Sequence, residues 1–115
     1  MNTETKISAL AKHLTVAAED IEPCTYDENS FDVAAGSWLV LTDSEADDAH
    51  NERLEEYIDE CLLPELPAAF QGYFDREAWK RDAQHDGRGH CLSSYDGEEH
   101  EVQVNGEWFY IYRTN

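Results

Sequence analysis

The chain has 115 residues, which bounds it to one domain of ordinary size. Its 26 acidic residues stand against 8 lysines and arginines, a formal charge of −18. That balance excludes the basic footprint of a nucleic-acid binder and opposes docking on anionic lipid. Disordered acidic chains are poor in aromatics, but 11% of this chain is aromatic and 41% hydrophobic, so it should fold around a core.

The start, MNTETKISALAKHLTV, has no long apolar run. It reads as neither signal peptide nor membrane span, which points to the cytoplasm. Three cysteines, Cys24, Cys61 and Cys91, without CxxC spacing read as reduced thiols. No repeat and no Gly/Ser linker divides residues 1–115.

In chain order, Ile7, Leu10 and Leu14 fall at i, i+3, i+7 with Ala11 beside them. They predict a short amphipathic helix from about Thr5 to His13. AAEDIEPCTYDENS reads as loop with at most one short strand. FDVAAGSWLVL predicts two strands with a turn near Ala35-Gly36, and the run from Trp38 to Leu41 is a buried strand.

TDSEADDAHNERLEEYIDE, Thr42 to Glu60, reads as one helix with nine carboxylates and a single Arg53. Thr42 and Glu45 have capping-box spacing, and acids in the first turn suit the helix dipole. Ala46, Ala49, Leu54, Tyr57, Ile58, Cys61 and Leu62 make the expected apolar face, and Pro64 ends it. PELPAAFQGY is a second short helical piece; Asp75 caps REAWKRDAQ, and Gly87 terminates it. GRGHCLSSYDG reads as loop, with a turn at Asp96-Gly97. The end predicts a hairpin closed by a type I′ turn at Asn105-Gly106. It pairs Val104 with Glu107, Val102 with Phe109 and His100 with Ile111. Gln103 with Trp108, Glu101 with Tyr110 and Glu99 with Tyr112 share the other face. The last strand is apolar on both faces, as an interior strand is. The expected fold class is α+β: a small, mainly antiparallel sheet with a C-terminal β-hairpin and about three helices, in a single domain.

At 100° per residue, Asp48, Glu52, Glu55 and Asp59 form a stripe opposite the apolar face, with Glu56 adjoining. Such a stripe should face water or a partner. Like-charged i, i+4 pairs (Asp48/Glu52, Glu52/Glu56, Glu55/Asp59, Glu56/Glu60) each cost about 0.2–0.5 kcal/mol. A chain that accepts this repulsion has one geometric use for it. Carboxylates one helical turn apart approximate a row of phosphates and would fit the positive groove of a DNA-binding enzyme. The bland alternative is a solvated acidic face.

Other constellations are weaker. His85, His90, Cys91 and His100 could bind metal, but their spacing matches no standard zinc site, so no metal or cofactor is expected. Cys91 beside His90 lacks nucleophile–base geometry, and acid pairs such as Glu98/Glu99 arise by chance among 26 acids. No enzyme is expected. Arg76, Lys80, Arg81 and Arg88 hold half of the cations in thirteen residues. They form either a patch for the acidic face of a second copy or internal bridges to Asp75, Glu77, Asp82 and Asp86. Trp108, Tyr110 and Tyr112 are either the second half of the core or a docking surface.

YFDREAWKRD, Tyr73 to Asp82, resembles a segment of ArdA-type antirestriction proteins, with their aromatic-Asp-x-Glu-Ala-x-x-Arg-Asp pattern. Phe70, Gln71, Gly72 and Tyr73 match part of a neighbouring stretch of that family. GRGHCLSSYDGEEHEV, Gly87 to Val102, together with LVLTDSEAD, is similar to small proteins of phages and mobile elements. ArdA-type proteins are acidic DNA mimics that inhibit restriction enzymes, and several phage anti-CRISPR proteins use comparable charge mimicry. The resemblance implies an acidic inhibitor of a host defence complex, a restriction enzyme or CRISPR effector. Its partner-binding residues would be Asp48, Glu52, Glu55, Glu56 and Asp59. Such a protein would not bind nucleic acid or membrane directly, and a second copy of the chain is a further candidate partner. The alternative is a non-enzymatic interaction module whose acidity serves solubility.

Overall fold

The computed structural model describes residues 2–25, 27–34 and 36–115. Helix α1 (Asn2–Leu14) leads through a short 3-10 turn, Ala18–Asp20, into strands β1 (Ile21–Pro23), β2 (Ser30–Val33) and β3 (Gly36–Leu41). Helix α2 (Asp43–Tyr57) follows, then a π-helical segment Ile58–Leu62 and a 3-10 turn Leu63–Glu65. Helices α3 (Ala68–Gln71), α4 (Arg76–Gln84) and α5 (Arg88–Leu92) precede the hairpin β4 (His100–Val104) and β5 (Glu107–Arg113). The α+β class with one antiparallel sheet and a C-terminal hairpin is as the sequence implies, with five helices instead of about three. The turn expected near Ala35-Gly36 lies in part outside the described residues, because Ala35 is not among them.

The five strands run antiparallel in the order β1-β2-β3-β5-β4. The hairpin register is the one its two-residue loop dictates: Val104 opposite Glu107, Val102 opposite Phe109, His100 opposite Ile111. Both turn residues have positive φ, 54° at Asn105 and 82° at Gly106, as a type I′ turn requires. Strand β5 is interior and lies between β3 and β4.

Interior strands covered on both faces have no polar side. On one face Trp38 and Val40 of β3 join Phe109 and Ile111 of β5, Phe31, and Ala9 and Leu10 of α1. On the other face Leu39 and Leu41 of β3 join Tyr112, Ala46 of α2 and Leu92 of α5. The sheet is thus sandwiched between α1 and a helical layer of α2, α4 and α5. Of the three aromatics on this second face, Tyr112 is fully buried, Tyr110 is partly buried, and Trp108 is exposed at the hairpin tip.

One polar contact locks the layers together. Lys6, 2% exposed, donates from Nζ to Asn29 Oδ1 and to Glu45 Oε1 at 2.8 Å. Glu45 also closes the predicted capping box: Thr42 N donates to its Oε1 at 2.9 Å, and Glu45 N donates to Thr42 Oγ1 at 3.3 Å. One carboxylate therefore starts α2 and tethers α1.

GRGHCLSSYDG is not all loop, contrary to its composition: Arg88–Leu92 forms α5. Gly87, at φ +87°, makes the entry bend. Gly89 is buried because a Cβ there would come within 2.7 Å of the Glu98 and Glu99 backbone. These glycines are packing requirements and not signs of loop. The expected turn at Asp96-Gly97 is present, with Gly97 at φ +72°.

Candidate functional site

The site is built on α2. Its inward stripe is Ala46, His50, Leu54 and Ile58, all buried, with Ala49 packed beside it. Cys61 and Tyr57, expected on the apolar face, are exposed. From Ile58 the backbone winds with i→i+5 bonds, which turns later residues away from the α-helical phase. Tyr57 stacks on Trp79 of α4, at 5.6 Å between ring centroids and 12° between planes.

Helix α4 runs back antiparallel beside α2 and brings cations to it. Arg76 Nη1 meets Glu55 Oε2 at 2.6 Å, and Nη2 meets Asp59 Oδ1 at 2.5 Å. Lys80, 7% exposed, donates to Glu55 Oε1 at 2.7 Å and to Asn51 Oδ1 at 3.0 Å. The Lys80 hydrogen bond, joined by Arg76, holds the Glu55 carboxyl below its usual range. The bond to Glu55 in turn raises the Lys80 ammonium. At the start of α2, Arg88 of α5 binds Asp43 Oδ1 at 2.9 Å, Asp47 Oδ1 at 3.0 Å and Glu99 Oε2 at 2.8 Å. Its guanidinium lies 4.6 Å from the Tyr110 ring centroid. The Tyr112 hydroxyl donates to the same Glu99 at 2.5 Å, and its burial together with that carboxylate pushes it well above the ordinary tyrosine value.

These bridges sort the nine acids of Thr42–Glu60. Glu45 is held by Lys6, Asp43 and Asp47 by Arg88, Glu55 and Asp59 by the α4 cations. The four left are Asp48, Glu52, Glu56 and Glu60, at i, i+4, i+8 and i+12. All four are exposed, and among the described residues none makes an ion pair. Asp48, Glu52 and Glu56 stand on α2 at steps of about 6 Å along its axis; Glu60 continues them in the π-helical segment. The expected stripe is therefore divided: Asp48, Glu52 and Glu56 face outward, while Glu55 and Asp59 are turned onto α4. Periodicity places residues at angles around a helix and carries no information on where a neighbouring helix lands.

The basic cluster resolves toward internal bridging, with partners other than its sequence neighbours. Arg76, Lys80 and Arg88 reach α2 and Glu99, and of the expected local acids only Glu77 is used, at 3.2 Å from Lys80. Asp75 caps α4, accepting from Ala78 N at 3.1 Å, so part of the YFDREAWKRD pattern has a local structural role.

The metal-capable residues are dispersed. His90 and Cys91 lie on α5, while His100 on β4 packs against His13, with ring centroids 4.8 Å apart and planes tilted by 35°. Asp96, Glu98 and His100 bring ligand atoms within 4.8 Å of one another at the surface, without His85, His90 or Cys91. Burial raises the Cys91 thiol above its ordinary value, the reverse of what a nucleophile needs. Among the described residues no helix is long and apolar enough to cross a membrane.

A cleft of about 480 Å³ opens between α2, α4 and α5, with Tyr57 and Trp79 on one wall and Arg53, His90 and Cys91 on the other. Sequence reasoning did not anticipate it, since its walls come from three elements. Arg53, the only cation of the acidic stretch, reaches just the Cys91 carbonyl, at 3.5 Å. Comparison with protein-family models, curated proteins and solved structures yields no match for this chain.

Proposed function

We propose that this chain is a phage- or mobile-element-encoded acidic inhibitor. It occupies the nucleic-acid groove of a host defence complex, a restriction enzyme or CRISPR effector, by phosphate mimicry. The observation that carries the reading is the sorting of acids on one helix. Cations neutralise the bridged carboxylates, while Asp48, Glu52 and Glu56 stay exposed and unbridged in a regular row, with Glu60 exposed and unbridged beyond it. A like-charged row strains the helix slightly and gains from a cationic groove, where it displaces the counterions a nucleic acid would displace. The resemblance of Tyr73 to Asp82 and Gly87 to Val102 supports the theme.

The test is a capture from host lysate with the parent chain and with a variant carrying Asp48→Asn, Glu52→Gln, Glu56→Gln and Glu60→Gln. The expected partner is a nucleic-acid-binding complex that duplex DNA displaces, that salt releases, and that the variant fails to hold. A partner held equally by the variant and indifferent to DNA defeats the proposal. The chain itself should not retard DNA in a low-salt gel shift, since its field repels phosphate.

A second reading, an interaction module whose acidity serves solubility, draws on a different feature. Every residue from Pro67 to Tyr73 is exposed, including Phe70 at 59% and Tyr73 at 85%.

A further inference from the structure

Helices α2 and α4 form a helical hairpin whose tip, Leu62 to Phe74, stands clear of the core. The molecule measures 55 × 27 × 25 Å with a radius of gyration of 16.5 Å, where a compact domain of this length has about 13 Å. The tip is shaped and not frayed: Gln71 Nε2 donates to Leu63 O at 2.8 Å and to Leu66 O at 3.2 Å, which folds the segment on itself. It presents Phe70 and Tyr73 to solvent, and its thirteen residues hold one charge, Glu65, in a chain that is 30% charged. An ordered, apolar, charge-poor projection on so acidic a protein calls for a cover.

The same chain has an unfilled receptor of complementary character. The cleft between α2, α4 and α5 is lined by Tyr57, Trp79, Leu54 and Ala83, with Arg53 and Asp86 also on its walls. At about 480 Å³ it exceeds the roughly 150 Å³ that takes one benzene-sized ring, so it has room for two. Arg53 has no carboxylate partner among the described residues, although acids surround it in sequence.

We propose that the chain self-associates as a two-fold dimer in which the hairpin tip of each copy places Phe70 and Tyr73 in the Tyr57–Trp79 cleft of the other, with Glu65 meeting Arg53. Two hairpins lying antiparallel bring each tip to the partner's cleft, and the arrangement is self-complementary, as a two-fold interface must be. The occupant is a second copy and not an unrelated protein because tip and cleft match in one sequence: aromatic rings for an aromatic-walled void, and the tip's one acid, Glu65, for Arg53. The tip is also the surface on which two chains of charge −18 can meet with the fewest acids between them. The inference does not depend on phosphate mimicry and has the opposite salt dependence. Screening relieves the mutual repulsion of two acidic chains, so dimerisation tightens with salt, whereas binding to a cationic groove weakens.

Sedimentation equilibrium of the full chain across the micromolar range, at about 0.15 M and about 0.5 M salt, is the test. The parent should dimerise, more tightly at the higher salt. Phe70→Ala with Tyr73→Ala should weaken association at least about tenfold, as loss of paired aromatic anchors does. At concentrations where both are monomeric, its circular dichroism and thermal midpoint should match the parent's, since both side chains are exposed in the single chain. Arg53→Glu and Glu65→Arg should each impair dimerisation, and an equimolar mixture of the two should restore it, because the swapped charges meet only in the mixed dimer. A parent that stays monomeric throughout, a dimer indifferent to the tip variant, or a mixture no better than its components overturns the proposal.

Discussion

The inner and outer carboxylates of α2 share a sequence segment, a residue chemistry and a helix, yet they do opposite things. Asp43, Asp47, Glu55 and Asp59 are anchors: α4 and α5 dock on the acidic helix through Arg76, Lys80 and Arg88. Asp48, Glu52, Glu56 and Glu60 touch no cation among the described residues. Crowded like charge on one element is thus two features superposed. One half bridges the helices of the layer to one another, and the other half carries no bridge.

The comparison breaks most visibly at Arg88. Its side chain is 15% exposed and serves three carboxylates. Arg88→Met should leave Asp43, Asp47 and Glu99 uncompensated and, because the two aspartates are largely solvent-screened, cost about 1–2 kcal/mol, read as a lower urea midpoint. A midpoint within error of the parent would mean that the inner acids are no more structural than the outer ones. Lys80→Met leaves Glu55 still paired with Arg76, so the same measurement should show a smaller loss.

A third test uses pH. His50, on the inner face, sits below its ordinary value because it is buried and then because Arg88 lies near. His13 is lowered by burial and then by His100. Protonation therefore favours the unfolded chain. Stability from these groups is complete above the ordinary histidine value of about 6.5 and is lost as pH falls through it toward the folded values. Glu45 adds a second step. Its burial opposes ionisation, but Lys6 and the Thr42 amide outweigh that and hold it low. Its contribution is present above the carboxylate range and lost as pH falls through the folded value. Thermal midpoints should decline first as pH falls below about 6.5 and again as it falls below about 4, the ordinary histidine and carboxylate values. His50→Gln should flatten the first decline, and an unchanged profile would remove His50 from the account.

Local signals made much of this legible in advance. The capping box at Thr42 and Glu45, the Asp75 cap and the Asn105-Gly106 hairpin register each depend on residues within a turn or a strand pair. The doubly apolar β5 revealed its interior place for a similar reason, since alternation fails when both faces are covered. What could not be read off was set by distant partners. Lys6 looks like a surface lysine until Asn29 and Glu45 are brought to it from 23 and 39 residues away. Gly89 looks like loop until the Glu98 backbone presses on it. Division of the acidic stripe needs the position of α4, which helical phase alone does not contain.

The smallest stability effect is the sharpest test of the comparison. Neutralising the outer row with Asp48→Asn, Glu52→Gln, Glu56→Gln and Glu60→Gln removes three like-charged i, i+4 pairs and no bridge. Stability should hold or rise by about 0.5–1.5 kcal/mol, from about 0.2–0.5 kcal/mol per pair. The matched inner variant, Asp43→Asn, Asp47→Asn, Glu55→Gln and Asp59→Asn, has the same formal charge and must lose stability, because it strips Arg76 of both its partners, Lys80 of Glu55 and Arg88 of two of its three. Equal charge with opposite sign of effect separates position from composition. Inhibition should follow the other order, falling in the outer variant while its fold is intact. If the outer variant unfolds as easily as the inner one, the row is structural after all. If it folds and keeps every partner of the parent, the row is only a solvated face.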